Sequence, residues 1–366
     1  MKSNIKGLKS RSEIGKLVET DKEWDLKRML AVFIAPHQNC RYQASLAQLS
    51  RAELHLTLSA LGIDTEISEK VYASHTAFMI DCDENNAQLN ELLSRLSGLY
   101  MVCRAGDDGA LYPLFGRKKA LLGDDMSGIL KYKGKTSEMF TRLLMNVARL
   151  SSAYALQKEP LDVLDPICGK GTTLMEAINA GNNALGMDVD AKSIDECKAF
   201  MKRYLTYHKL KHSLSQNSLT ANGKSYPMWQ FTTAADIESY KSGDVRTFGA
   251  ITCDALIADK VMPRRRFNII AGDLPYGVQH APHAGNTKTI STPEQFTAQA
   301  IPVWAKLLAP GGALALSFNS YTLKRQTLRD QMRESSLKVM EGGPYDSMEH
   351  WVEQAVMRDV VVAVKS

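Results

Sequence analysis

Apolar and polar positions alternate along the chain in blocks whose character changes near residue 135. "RMLAVFIAP" (Arg28–Pro36) is an unbroken apolar run stopped by proline, the mark of a buried strand. "SRAELHLTLSALGI" (Ser50–Ile63) sets apolar residues at helical spacing behind an N-cap serine and stops at a glycine, which predicts a helix. "AFMIDC" (Ala77–Cys82) reads as a second strand and "NAQLNELLSRLSGLY" (Asn86–Tyr100) as a second helix. Strand, helix, strand, helix predicts a small α+β unit separate from the remainder of the chain. Gly106 to Gly134, rich in glycine and charge, reads as a linker and entry to the second unit, and the polar residues 1–25 are expected to be mobile.

Beyond Lys135 the rhythm is different. "TSEMFTRLLMNVARLSSAYAL" is a helix leading into "LDVLDPICGKGTTLMEAINAGNNALGMDVD", a strand, a glycine turn, a helix and another strand. "NIIAGDLPYG", "PEQFTAQAIPVWAKLLAPGG", "ALALSFNS" and "EQAVMRDVVVAVK" continue the alternation. Such βα repetition predicts an α/β fold with an open, mostly parallel sheet covered by helices on both faces. The last two strands are close enough in sequence to pair antiparallel. The expected division is an N-terminal α+β domain over 1–125 and a second domain over 126–366. "SLSQNSLTANGKSYPMW" reads as a polar insertion whose role is not legible.

Composition narrows the class only a little. With 44% hydrophobic and 23% charged residues, long disordered stretches are not expected. A net charge of +5 permits an acidic partner without demanding one. The six cysteines form no CxxC pair and no His–Cys cluster, which argues for reduced thiols in a cytoplasm and against a structural zinc. The basic N-terminus has no apolar segment behind it, and no run approaches a membrane span. The expectation is a cytoplasmic protein without membrane or metal partners; its oligomeric state is not legible.

The candidate chemistry sits where apolar strands stop. Asp165 ends one strand, Gly169 and Gly171 bracket a tight turn, and Thr172 opens the next helix, whose first N–H groups are free to meet a ligand. Asp188 ends the following strand, where a carboxylate can grip both hydroxyls of a ribose. Asp254, in "ITCDAL", is spaced to meet an adenine amino group. A Gly-x-Gly turn alone is also an ordinary strand-to-helix connection, and Asp254 alone is equally a solvated loop acid. Neither GxGxxG nor GxxxxGK[ST] is present, and Asp165 beside the turn would repel a pyrophosphate. It suits a cationic nucleoside, such as S-adenosylmethionine.

In order, "DPICGKGTT…GMDVD…CDA…DLPYG" resembles the motifs of class I S-adenosylmethionine-dependent methyltransferases. More narrowly it resembles those that methylate exocyclic amino groups of bases and carry (D/N)PP(Y/F). Within these it is similar to the tRNA guanosine-10-N2-methyltransferases and their putative RNA methylase relatives, whose DPxCGxGTxxxEA form "DPICGKGTTLMEA" nearly matches. The resemblance runs from Thr136 to the C-terminus, and more faintly over 28–105, whose pattern is similar to that family's ferredoxin-like region.

The resemblance implies a Rossmann-like class I methyltransferase domain with a seven-stranded, mostly parallel sheet. It implies S-adenosylmethionine as cofactor, held by Asp165, Cys168, Gly169, Gly171, Thr172, Asp188 and Asp254, with Thr141 (and Phe140, unless that ring serves helix packing) beside its methionine end. It implies RNA, above all tRNA, as partner, docked by residues 1–125. The catalytic set would be Asp273, Leu274, Pro275 and Tyr276.

Chemistry accounts for that set. An exocyclic amino nitrogen has its lone pair delocalised into the ring, so it is a poor nucleophile. The Asp273 carboxylate and the Leu274 carbonyl can accept its two N–H hydrogens, turn the lone pair outward and stabilise the developing cation. Pro275 stiffens the turn, Tyr276 offers a face to an unstacked base, and Gly277 gives that base clearance. Leu274 departs from the family's usual proline; the acceptor is a backbone carbonyl, so the chemistry survives with a less rigid loop. Two alternatives remain open: an adenine-N6 methyltransferase on DNA or RNA, and an inactive cofactor-binding module that recruits a partner to RNA. Arg264–Arg266 are candidate phosphate contacts or a solvated loop, and Asn319 and Ser320 are candidate pocket borders. His280 and His283 are expected to bond locally rather than to hold a metal or act as a base.

Overall fold

The structure, a computed structural model, describes residues 29–36, 40–130, 132, 135–158, 160–275 and 292–366, and for residues 40–44 the backbone alone. The expectation for residues 1–25 falls outside them, as do Tyr276, Gly277, His280 and His283.

The first apolar run forms β1 (Met29–Ile34), with Leu30 and Val32 packed in one core cluster and Ala31 and Phe33 in another. After it come α1 (Cys40–Ala60), β2 (Ser68–Tyr72), β3 (His75–Asp81), α2 (Ala87–Leu93), β4 (Leu99–Ala105) and β5 (Leu111–Gly116). The sheet runs β2-β3-β1-β4-β5 with every pair antiparallel. A βαββαβ order with β1 between β3 and β4 is ferredoxin-like, here extended by the edge strand β5.

Three expectations change. Ser50 is not an N-cap but lies buried inside α1, because Leu46 and Leu49 carry the apolar stripe back beyond it. The helix read over 86–100 stops at Leu93. Asn86 does cap it, accepting from the N–H groups of Gln88 and Leu89 at 3.1 Å each, but Leu99 begins a strand. Gly98 permits the exit, since an added Cβ there would meet Ile34 Cγ2 at 3.1 Å. The supposed linker carries β5, paired to β4.

The larger sheet is framed by α3 (Met126–Ile129), α4 (Glu138–Ser151), β6 (Asp162–Asp165), α5 (Thr172–Asn179), β7 (Asn183–Asp188) and α6 (Ala191–Tyr207). Next come β8 (His212–Ala221), β9 (Lys224–Thr233), α7 (Ile237–Ser242), β10 (Arg246–Thr252), α8 (Ala258–Val261) and β11 (Phe267–Asp273). The chain closes with α9 (Pro293–Leu307), β12 (Leu308–Asn319), α10 (Arg325–Glu334), β13 (Leu337–Met340), β14 (His350–Glu353) and β15 (Val356–Lys365).

Strand order is β13-β15-β12-β11-β6-β7-β10-β9-β8, with β14 beside β15. The central strands β10, β7, β6, β11 and β12 are parallel, and β15 inserts antiparallel between β12 and β13. From β10 to β13 these seven strands form the Rossmann-like, class I methyltransferase arrangement, with β15 the one reversed strand and the switch of winding direction between β6 and β11. The polar insertion is a hairpin, β8–β9, that widens the sheet. Its turn is Asn222-Gly223, both at positive φ (52° and 74°), as a tight two-residue hairpin requires.

Helix α1 is shared. Leu54 and Leu58 pack on the small sheet, while Leu46, Leu49, Ala52 and Leu56 join the core of α4 with Phe140, Leu144 and Val147. Between them Glu53 is fully buried, accepting from Ser97 N (3.0 Å), Ser97 Oγ (2.6 Å) and Asn146 Nδ2 (2.7 Å). Burial raises its pKa against the pull of those bonds and of Arg142. Among the described residues no helix is long and apolar enough to cross a membrane.

Candidate functional site

Parallel pairing brings the predicted acids to one end of the sheet. Asp165 ends β6 opposite Gly186, Asp188 ends β7 opposite Thr252, and Asp273 ends β11 opposite Ser317 of β12. Asp254 follows β10 directly, and the Cys253 N–H bonds the Asp188 carbonyl at 2.9 Å. With strands about 4.8 Å apart, three carboxylates lie on neighbouring strands to one side and Asp273 on the other side of β6.

The turn after β6 is built around glycine. Gly169 and Gly171 have φ of 49° and 82°, and a Cβ on Gly171 would lie 2.6 Å from Cys197 Sγ. At Gly169 an added Cβ meets nothing within 4 Å, so open space lies over the turn. The Gly169 N–H donates to Asp188 Oδ2 at 2.8 Å, and the Asp190 N–H donates to Oδ1 at 2.9 Å. Each oxygen can accept further hydrogen bonds. Cys168 is turned inward: its thiol packs against Gly186, and burial raises its pKa well above the ordinary value. Thr172, at the start of α5, is buried with its hydroxyl 3.0 Å from Tyr132 Oη. Glu176, one turn further, bonds Ser127 Oγ and Arg142 Nη1 and so ties α5 to α3 and α4.

Asp165 is 3% exposed. Burial lifts its pKa to about 7, with Asp188 and Asp273 pushing the same way against hydrogen bonds from the Thr173 hydroxyl and the Ile167 N–H. A carboxyl crowded by carboxylates at this depth favours a cationic ligand. Burial also raises Asp188, partly offset by the Asp190 and Gly169 N–H groups. Asp254 accepts from the Leu256 N–H at 2.9 Å and caps the short 3-10 turn after β10. The β8–β9 hairpin walls this side, with Ala221 and Met228 packed in one cluster with Ala255, Ala258 and Val261.

At the other side, Asp273 Oδ2 accepts from the Thr136 hydroxyl and lies 3.6 Å from an Arg358 terminal nitrogen. Arg358 is 4% exposed and stacks over the Phe140 ring at 4.4 Å, and His350 lies 5.3 Å from the same ring. Burial holds the His350 pKa down at about 4, and the Arg358 charge adds to this. Phe140 is therefore a packing residue. The Leu274 N–H donates to the Ser317 carbonyl at 2.8 Å and its side chain is buried, which fixes the strand end in place of the missing proline; Pro275 comes next, half-buried.

Of the remaining candidates, Thr141 and Asn319 are held in bonds within the protein. Thr141 Oγ1 bonds the Ser137 carbonyl one turn back at 3.1 Å. Asn319 is a loop staple: Oδ1 accepts from the Tyr321 and Met357 N–H groups, Nδ2 donates to the Ala355 carbonyl, and the Ser320 N–H bonds Met357. Arg264–Arg266 precede β11, whose seven residues, about 23 Å, separate them from the acids. Thr136, Arg358 and His350 are not legible in the sequence as site residues. Nothing local marks them, since β15 brings Arg358 in by antiparallel pairing with Asn319. Among the described residues no cluster of histidine, cysteine and acid could hold a metal.

No protein-family model matches the chain, and no curated protein matches it. Among solved structures it is similar to TrmN from Thermus thermophilus, with 15% identity over 93% of this chain and 83% of that one and a TM-score of 0.38. It is similar to the rRNA methyltransferase aviRa from Streptomyces viridochromogenes, with 13% identity, 67% and 91% coverage and a TM-score of 0.39. It is also similar to magnesium protoporphyrin IX methyltransferase from Synechocystis with bound SAM, with 15% identity, 64% and 87% coverage and a TM-score of 0.38. Scores this low assign no activity to the chain.

Proposed function

We propose that the protein is an S-adenosylmethionine-dependent RNA methyltransferase that transfers a methyl group to the exocyclic N2 amino group of a guanosine, in tRNA. The observation that supports this most is the placing of Asp273 and the Leu274 backbone beside the Asp165–Asp188 turn, on neighbouring strand ends in the parallel centre of one sheet. The open space over Gly169, the raised pKa of Asp165 and the spare acceptor capacity of Asp188 suit a cationic nucleoside. S-adenosylmethionine would supply an electrophilic methyl group on a sulfonium; as the new N–C bond forms, the S–C bond breaks with its electrons going to sulfur, and the neutral thioether S-adenosylhomocysteine leaves.

Asp188 holds the ribose hydroxyls, Asp165 and the N–H groups at the start of α5 hold the amino acid end, and Asp254 meets the adenine amino group. Thr136 and Arg358 fix the rotation of the Asp273 carboxylate, which accepts one N–H of the target amino group while the Leu274 carbonyl accepts the other. This turns the nitrogen lone pair towards the methyl donor, and the same oxygens stabilise the cation as it forms. The product ammonium is acidic enough to lose its proton to Asp273 or water, so no separate base is needed. Tyr276 stacks on the extruded base, and residues 1–125 dock the RNA.

Calorimetric titration with cofactor tests the division of roles. Asp188→Ala is expected to weaken binding by about 1–3 kcal/mol, the effect of leaving polar groups unpaired. Asp273→Ala is expected to bind cofactor normally and transfer no methyl group. Loss of cofactor affinity in Asp273→Ala, or none in Asp188→Ala, would overturn these assignments.

A further inference from the structure

At the far end of α5 from the acids, a cleft of about 260 Å³ opens where the connection from β5 to α3 crosses the starts of β6 and β7. Eight arginine and lysine side chains line it, against the acids Asp124 and Glu176. Five of these cations are paired locally: Glu91 takes two, and Asp124, Glu176 and Asp244 take one each. Lys119, Arg149 and Lys158 have no carboxylate partner among the described residues.

Arg149 is the informative one. It is 8% exposed, yet no acid among the described residues faces it in an ion pair. Its Nε donates to the Ala155 carbonyl at 3.2 Å and one terminal nitrogen to the Gln157 carbonyl at 2.7 Å; the other makes no hydrogen bond with a described residue. Burial, then the neighbouring Arg95, bring its pKa down to about 10, with Glu91 opposing. A guanidinium buried this deeply, with two exposed lysines lining the same cleft, suits an anion.

We propose that this cleft binds a phosphodiester of the substrate RNA strand, with Arg149 at its floor and Lys119 and Lys158 at its rim. This inference rests on the proposed action on RNA. The eight residues of α5 span about 12 Å at 1.5 Å per residue, so Thr172 in the cofactor turn and Asn179 in the cleft lie one helix length apart. A strand whose target base lies at Asp273 has nearby backbone within that reach. Lys119 and Lys158 are exposed on long side chains, which suits positioning a strand without reading its sequence.

The test is binding of an unmodified tRNA transcript across a salt series, with methyl transfer measured in parallel. Lys119→Ala/Lys158→Ala removes two exposed cations that make no bonds within the described protein, so it is expected to fold and to keep its cofactor affinity. Its slope of log affinity against log salt is expected to fall by about 0.7–0.9 per phosphate contact removed, and its tRNA affinity by roughly tenfold or more at low salt. Lys119→Arg/Lys158→Arg is expected to restore the slope, which a role in packing would not. Unchanged slope and affinity in the alanine variant, with methyl transfer to RNA intact, would overturn the cleft and leave the action on RNA standing. Lost tRNA binding in that variant, with no methylation by the native protein, would uphold the cleft and overturn the enzymatic reading. A native protein that binds no RNA overturns both.

Discussion

Asp165 links the turn, the cofactor and pH. Its carboxyl titrates near pH 7 instead of near 4, chiefly because it is buried and secondly because Asp188 and Asp273 stand close. A folded-state pKa raised above the unfolded one contributes stability that is fully present below the unfolded value and is lost as pH rises through the folded value. Between roughly pH 4 and pH 7 the unfolded carboxyl is ionised while the folded one is still protonated, so the ligand-free protein loses this contribution; Asp165 itself ionises near pH 7, and attraction for a cationic ligand grows there. Cofactor affinity is predicted to rise steadily from pH 6 to pH 8 and to flatten above. Asp165→Asn, whose amide oxygen can still accept from Ile167 N–H, is predicted to flatten both the affinity profile and this part of the stability profile. Parallel profiles for native and variant proteins would remove Asp165 from the ligand site.

At the scale of elements, the glycine turn between β6 and α5 is where backbone geometry is tightest. Gly171 combines a φ of 82° with a Cβ position only 2.6 Å from Cys197 Sγ, so Gly171→Ala meets backbone strain and a clash with a core side chain of α6. It is predicted to lower the urea-derived unfolding free energy by about 1–3 kcal/mol and to weaken cofactor binding; a neutral substitution would mean the turn is not rigid. This turn was legible in the sequence because apolar strands ending on Asp165, Asp188 and Asp273 are local signals. The β8–β9 hairpin was not legible: Asn222-Gly223 marks its turn, but the polarity of the segment masked the strands. The start of α1 and the end of α2 were not legible either. Leu92, Leu93, Leu96 and Leu99 keep a helical spacing through a stretch where β4 is already claimed by pairing with β1. Arg358 could not be found by spacing, because only β-pairing of distant segments carries it to Asp273.

Across the whole molecule, α1 and α4 join the two sheets through a shared apolar core and one buried acid. Glu53 holds Ser97 at the entry to β4 and Asn146 on α4. Glu53→Ala leaves these donors unpaired and is predicted to destabilise the protein by about 2–4 kcal/mol, read as a shifted urea midpoint in one cooperative transition. Separate transitions for the two sheets would mean that this junction does not couple them. The junction also places the cleft around Arg149 beside the sheet whose opposite strand ends carry the acids. The most direct measurement of the central claim is transfer of labelled methyl from S-adenosylmethionine into unmodified tRNA, rRNA and DNA. The products would be digested to nucleosides for mass spectrometry, with Asp273→Ala as the blank. Label is expected in N2-methylguanosine from tRNA, with none in the blank. Label in N6-methyladenine, or no label in any nucleic acid while cofactor still binds, would contradict that claim.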